Sequence, residues 1–445
     1  MKNQTSSLMP IIKTEIPGPL GREIIKRDAK FASPSLIKEY ALVADRGQGC
    51  FIDDVDGNRF LDMMAGIAVS STGYAHPHVT GAVKEAIDRV WHICGTDFYT
   101  ESYARLMEKL GSYVPQMGNK KVFLANTGTE AIEGAMKLAR YHTKRKGFMS
   151  FYGGFHGRTL GALSLTASKV KYRDNFGPFI PGVVHGRFPN PSECPDGMST
   201  EEFGLKAIDD IKTTIFDRVM APSELAAIFV EPIQGEGGYI TPPRSFLKGL
   251  RYLCDQHGIL LVFDEIQSGV GRTGHMFAAE YFDVAPDIIT SAKGLGSGMP
   301  IGAILAKESV MTWGRGTHGS TFGGNNVSCA AAVATLEVVE KMLPDIRDNG
   351  AYLTQCLKNL AAVHPIIADV RGPGFMIGME LKDPKTGLPV PELMGELEQL
   401  AFRKGLLLLG CGQSTIRFAP PLVCGRHEID IATKILANCL SELNH

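Results

Sequence analysis

No stretch of this 445-residue chain is apolar for long enough to cross a membrane, since a spanning helix needs about 20 consecutive apolar residues. Met1 to Gly21 lacks the apolar core of a secretory signal. Charge of one sign is equally scarce. The 46 Lys and Arg nearly cancel 47 Asp and Glu, leaving −1, which argues against a broad nucleic-acid footprint. Nine cysteines are scattered from Cys50 to Cys439 with no Cys-x-x-Cys and no short His/Cys cluster. Neither a disulfide framework nor a metal site is therefore expected. There is no internal repeat and no low-complexity run. These absences leave a soluble, cytoplasmic, metal-free globular protein as the expectation.

What is present is an alternation of helical and strand-like patterns from about residue 80. Ile132, Met136 and Ala139 recur at helical spacing, while Leu225 to Val230 and Ile259 to Phe263 are short apolar runs. Such alternation predicts an α/β fold with a mostly parallel sheet flanked by helices. Earlier, Phe51 to Asp62 holds two strand-like runs around an Asp-Gly turn, a hairpin signal. Arg187 to Gly197 reads as a long loop rich in proline and turn formers. From about 336 onward, helices and short strands suggest a second domain.

Two residues make the chain readable as an enzyme. Asp264 ends the run Ile259-Leu-Leu-Val-Phe-Asp264, and Lys293 ends Pro286-Asp-Ile-Ile-Thr-Ser-Ala-Lys293, followed by Gly-Leu-Gly-Ser-Gly. A lysine at one strand end and an aspartate at another are what pyridoxal phosphate (PLP) chemistry requires. The amine forms a Schiff base with the aldehyde, and the carboxylate keeps the pyridine nitrogen protonated. Taken alone, a lysine is ordinarily solvated and a strand-end aspartate is often a cap. Other segments serve the same cofactor. Thr127 and Glu130 have capping-box spacing, so a helix begins there and offers the amides of Gly128 and Thr129 to a phosphate. Phe155, among the glycines of Tyr152-Gly-Gly-Phe-His-Gly-Arg158, suits stacking on a pyridine face. Arg158 and Arg417 can each grip a carboxylate with two prongs. Glu236 lies in the Gly-rich loop after Glu231-Pro-Ile-Gln, a post-strand position favoured for sites.

In order, Thr127-Gly-Thr-Glu-Ala131, Gly154-Phe-His-Gly-Arg-Thr159, Glu231-Pro-Ile-Gln-Gly-Glu-Gly237 and Phe263-Asp-Glu-Ile-Gln-Ser-Gly269 are followed by Gly271-Arg-Thr-Gly274, Ser291-Ala-Lys293 and Ser320-Thr-Phe-Gly-Gly324. This set resembles the class III (subgroup II, ω-type) PLP-dependent aminotransferases, which include the 4-aminobutyrate, ornithine and acetylornithine enzymes. The resemblance runs from about residue 30 to near the C-terminus. It implies PLP-dependent transferase fold type I, with a large domain built on a seven-stranded, mostly parallel sheet and a smaller α+β domain from both chain ends. The expected division is 1–70 joining the small domain, 71–335 for the large PLP-binding domain and 336–445 for the small domain.

Carried over by position, the resemblance implies that Lys293 anchors PLP and shuttles the proton, while Asp264 pairs with the pyridinium nitrogen. Gln267 would bond the phenolic oxygen, with Ile266 beneath the ring and Phe155 above it. His156 and Glu231 fall among the cofactor-binding positions. Gly128 and Thr129 would hold the phosphate, with Thr321 reaching in from a second subunit, so a homodimer with shared sites is implied. Arg417 resembles the group that binds the α-carboxylate of 2-oxoglutarate, and Glu236 the switch that neutralises it. Arg158 resembles the anchor for a distal carboxylate, and Ile67 stands where 4-aminobutyrate-type enzymes hold an apolar residue.

Cys94-Gly-Thr-Asp-Phe-Tyr99 departs from the 4-aminobutyrate pattern. If Asp97 enters the pocket, it favours a second ammonium group, as in ornithine or lysine; otherwise it is a cap or a solvated loop residue. The expected function is transfer of a terminal amino group from an ω-amino acid to 2-oxoglutarate, giving a semialdehyde and glutamate by a ping-pong route. The alternative is an amino-acid racemase or epimerase on the same scaffold, which has no need of both Glu236 and Arg417. A silent homologue would be expected to lose Lys293.

Overall fold

The computed structural model describes residues 8–443. At the N-terminal side, β1 (Ala44–Gln48), β2 (Phe51–Asp54) and β3 (Arg59–Asp62) form an antiparallel sheet. The Asp-Gly turn closes the β2–β3 hairpin, and the buried Asn58 side chain amide donates to Asp54 Oδ2 at 2.7 Å across it.

The large sheet comprises β4 (Lys120–Ala125), β5 (Gly147–Phe151), β6 (Val183–Gly186), β7 (Leu225–Val230), β8 (Leu260–Asp264), β9 (Ile288–Ser291) and β10 (Gly302–Lys307), in the order β4-β10-β9-β8-β7-β5-β6. β10 runs antiparallel to both its neighbours, and the other pairs are parallel. Near-continuous burial of β5, β7, β8 and β9 follows from a sheet covered on both faces. On one face, the helix Gly128–Thr143 lays Ile132, Met136 and Ala139 against Phe148, Phe229 and Val262. The opposite face packs on the helices Thr200–Asp210 and Arg244–His257.

One helix, Asn326–Ala361, continues past Pro344 and leads into a C-terminal antiparallel sheet. That sheet contains β11 (Ile367–Arg371), β12 (Ile377–Leu381), β14 (Leu409–Cys411) and β15 (Thr415–Phe418), ordered β11-β12-β15-β14. The short β13 (Leu406–Leu407) leaves it to pair in parallel with β3, so both chain ends meet in one small layer. Among the described residues, no helix is long and apolar enough to cross a membrane, and no group of His, Cys, Asp or Glu is placed to hold a metal ion.

Candidate active site

Five chain segments leave the sheet at one edge and converge. β4 runs into Asn126–Gly128, β5 into the Phe155 loop, β7 into Glu231, β8 ends on Asp264, and β9 stops two residues before Lys293. Because β10 is antiparallel, its start meets the same edge, with Gly302 paired to Ala125. The carboxyl ends of parallel strands are where α/β sheets place their ligands. The cavity enclosed there is about 400 Å³ and is lined by Gly128, Thr129, Phe155, His156, Arg158, Glu231, Asp264, Ile266, Gln267 and Lys293. A larger hollow of about 590 Å³ lies along edge strand β6. It holds no lysine and, of the converging segments, only Tyr152, so chemistry rather than size marks the site.

The cradle is built first. Thr127 caps the helix Gly128–Thr143, and a capping box closes as Glu130 N–H donates to Thr127 Oγ1 at 3.3 Å and Thr127 N–H donates to Glu130 Oε2 at 3.1 Å. The amides of Gly128 and Thr129 have no acceptor among the described residues and lie at the positive end of the helix. A Cβ on Gly128 would lie 2.8 Å from Ile266 Cδ1, so any larger residue here requires the Ile266 side chain to shift. Gly157, at φ +136°, passes so close to Thr129 that a Cβ would stand 2.4 Å from Thr129 Oγ1.

The ring-binding end is dry and charged. Asp264 is buried. Its Oδ2 accepts from His156 Nδ1 at 2.8 Å and its Oδ1 from Ile266 N–H at 3.1 Å and Thr290 Oγ1 at 3.4 Å. Burial opposes charge on His156, yet the hydrogen bond and charge of Asp264, with the charge of Glu231, raise its pKa above the usual value. Glu231 ties two loops together, accepting from Phe155 N–H at 2.8 Å and Gly235 N–H at 2.9 Å. Burial pushes its pKa to about 7, against the opposing pull of His156. Gln267 accepts from Tyr239 Oη at 2.7 Å, which fixes its amide. Lys293 sits at φ +40°, a left-handed conformation uncommon for lysine, at a strand end where backbone strain often marks function. Its pKa falls to about 8, because water is excluded and the Arg417 cation is near; Glu231, Asp264 and Glu236 only partly offset this.

Close enough to act on Lys293 is a cluster of charges. Arg417, on β15, is buried. It donates to Gly410 O at 3.0 Å and stands 3.4 Å from Glu236 Oε2, while its Nε has no acceptor among the described residues. Glu236 Oε1 accepts from Lys169 Nζ at 2.9 Å and Tyr172 Oη at 3.1 Å. Burial would raise the Glu236 pKa, but Arg417 and Lys169 hold it below the carboxylate norm. Arg158 lies over the rings of Phe155 (5.5 Å) and Tyr172 (5.1 Å).

Three expected residues lie elsewhere in the single chain. Ile67 is exposed on a turn with φ +67°. Asp97 is exposed in a loop whose backbone turns back onto Cys94, and Thr321 is exposed in the segment between β10 and the helix Asn326–Ala361. Lys169, Tyr172 and Tyr239 escaped the sequence reading. The first two sit on or beside a short 3-10 turn, Val170–Tyr172, which has no periodicity to flag it.

The residues fit PLP. Two idle amides at a helix start suit its phosphate, an apolar side chain and an aromatic ring line the space between, a buried carboxylate hydrogen-bonded at both oxygens suits its ring nitrogen, and a lysine with a lowered pKa suits its aldehyde. Comparisons with known proteins agree. The sequence model of the class III aminotransferases matches residues 34–440. An alanine/serine racemase of Pyrococcus horikoshii is 38 % identical over 97 % of this chain and 93 % of its own length. A 5-aminovalerate aminotransferase of Pseudomonas putida is 38 % identical over 91 % and 94 %, and a 4-aminobutyrate aminotransferase of Escherichia coli 37 % over 95 % and 98 %. Among solved structures, a PLP-bound amine transaminase from an uncultivated Pseudomonas species superposes with a TM-score of 0.85 at 30 % identity, covering 93 % of this chain and 97 % of that one. With cavity, strand topology and sequence in agreement, the chain belongs to the class III aminotransferases, PLP-dependent enzymes of fold type I.

Proposed function

We propose that the protein moves the terminal amino group of an ω-amino acid of the 4-aminobutyrate or 5-aminovalerate kind to 2-oxoglutarate. The observation that carries this reading is the Glu236–Arg417 pair, 3.4 Å apart, whose two charges both act on Lys293. Two unlike substrates must use one site. An ω-amine brings no carboxylate next to its reacting carbon, and an intact Glu236–Arg417 pair then presents no uncompensated cation. A 2-oxo acid does bring one, and Arg417 receives it once Glu236 turns aside. Arg158 lines the cavity beside Phe155, and is the group offered here for the far carboxylate of either substrate.

Bound PLP supplies the electron sink that lets the substrate carbon lose its proton. The chain does the rest. Lys293, with its pKa near 8, takes and returns a proton at that carbon as a base matched to neutral solution. Asp264, held by His156 and Thr290, keeps a proton on the ring nitrogen. Gln267 donates toward the phenolic oxygen while Tyr239 fixes its amide. Ile266 and Phe155, both lining the cavity, would pack on the bound ring and keep water from it.

We propose a homodimer as well, with Thr321, Asp97 and Ile67 turned toward the second subunit. In support, Trp91, Phe98 and Phe322 are 66 %, 56 % and 60 % exposed. Thr321 adjoins Phe322, whose ring lies 4.9 Å from that of His92. An apolar patch of this kind on a monomer marks an interface.

A racemase is the second reading, favoured by the Pyrococcus horikoshii relative, which is matched over 97 % of this chain. Arg417→Ala separates the two. Under the transferase reading it weakens the reaction with 2-oxoglutarate at least tenfold more than the reaction with the ω-amine. Equal losses in both reactions would contradict the switch.

A further inference from the structure

Glu236 is held unequally at its two oxygens. Oε1 accepts two hydrogen bonds, from Lys169 Nζ at 2.9 Å and Tyr172 Oη at 3.1 Å, and both donors come from one short segment. Oε2 has a single ion-pair contact, 3.4 Å from Arg417 Nη2, longer than a good charge-assisted hydrogen bond. Arg417 meanwhile keeps an idle Nε. The Arg417 arm is therefore the one that breaks first.

We propose that Lys169 is a positioning residue: it parks the Glu236 carboxylate whenever a substrate carboxylate takes Arg417. The inference rests on the two-substrate reading of Arg417. A carboxylate displaced from its only cation in a buried site would be left uncompensated, and displacement would then be opposed strongly. With Oε1 anchored on Lys169 and Tyr172, Glu236 pivots about that oxygen and never loses a cationic partner. Lys169 acts through Glu236 and need not touch the substrate. It therefore sets how readily the site accepts an α-carboxylate, and so how the enzyme divides its affinity between 2-oxo acid and ω-amine.

The test uses the PLP-loaded enzyme and glutarate, a five-carbon dicarboxylate that lacks the ketone and binds without reacting. Calorimetry gives its dissociation constant in wild type, Lys169→Gln, Lys169→Arg, Tyr172→Phe, Glu236→Gln and the Lys169→Gln/Glu236→Gln pair. Arg417→Ala tests the underlying reading: if it leaves glutarate binding unchanged, that reading falls and the proposal falls with it. Provided Arg417→Ala does weaken binding, Lys169→Gln should weaken glutarate about tenfold and Tyr172→Phe about threefold, with Lys169→Arg near wild type. The half-reaction with 4-aminobutyrate should keep its KM within about threefold in Lys169→Gln. The decisive comparison is the double variant. Once Glu236 is uncharged there is nothing to park, so adding Lys169→Gln should change glutarate binding less than about twofold. A tenfold loss that persists in the Glu236→Gln background would mean that Lys169 attracts the ligand directly, and would overturn the proposal. Equal losses for glutarate and the amine would overturn it too.

Discussion

The lowered pKa of Lys293 has a consequence that can be measured before any turnover. A lysine amine at its ordinary value of 10.5 is neutral in only about 0.03 % of molecules at pH 7, whereas one at about 8 is neutral in about 9 %. The site thus multiplies the reactive form about 300-fold. Dehydration at the buried strand end contributes most, and the Arg417 cation adds to it. The assay is the rate at which PLP-free enzyme captures PLP, read from the absorption of the bound cofactor between pH 6.5 and 10. The phosphate is already a dianion across this range, with its second pKa near 6, so the profile reports the amine. Capture should rise with pH and level off with a midpoint near 8. Lys293→Ala should still bind the cofactor through its phosphate, without the covalent band. Because Arg417 lowers the Lys293 pKa and Glu236 raises it, Arg417→Leu should move the midpoint up and Glu236→Gln should move it down. A wild-type profile that keeps climbing past about pH 9.5, or variants that shift the opposite way, would refute the reasoning.

Asp264→Asn removes the charge that holds a proton on the ring nitrogen and leaves only a neutral acceptor for the 2.8 Å contact with His156; single-turnover rates should fall about 10³-fold or more, and a loss below tenfold would remove Asp264 from that role. Gly128→Ala places a Cβ 2.8 Å from Ile266 Cδ1, so overpacking of about 1–3 kcal/mol should appear as weaker PLP binding and a lower Tm. An unchanged dissociation constant would show that Ile266 yields freely. Asp97→Ala should reduce activity toward ornithine and lysine while sparing 4-aminobutyrate, and an unaltered donor profile would return Asp97 to a solvated loop.

The sequence disclosed the floor of the site better than its walls. Lys293, Asp264 and Glu231 each follow a short run that reads as a buried strand, and strand ends of a parallel sheet share an edge, so their convergence follows from topology. The phosphate cradle was legible because Thr127 and Glu130 obey a local capping rule, which the structure satisfies with both hydrogen bonds. The reversed direction of β10 was not visible: its apolar residues read alike in either orientation. Lys169 and Tyr172 were missed because their partner, Glu236, is more than sixty positions away, and a Lys-x-Lys-Tyr loop looks like solvated surface. The helix Asn326–Ala361 also runs unbroken across residue 336, where the pattern of helices and short strands suggests the start of a second domain. A long helix that serves two layers leaves no loop to mark the passage. Tertiary contacts, not local pattern, show the direction of β10 and the partners of Glu236.

The central claim is most directly tested by a half-reaction without any oxo acid. PLP-loaded enzyme is mixed in turn with 4-aminobutyrate, 5-aminovalerate, L-ornithine, L-lysine, N-acetylornithine or L-alanine, and the cofactor's absorption is followed. The account predicts stoichiometric bleaching by an ω-amino acid, reversed on adding 2-oxoglutarate. A band that persists while chiral analysis shows L-alanine becoming D-alanine would contradict it.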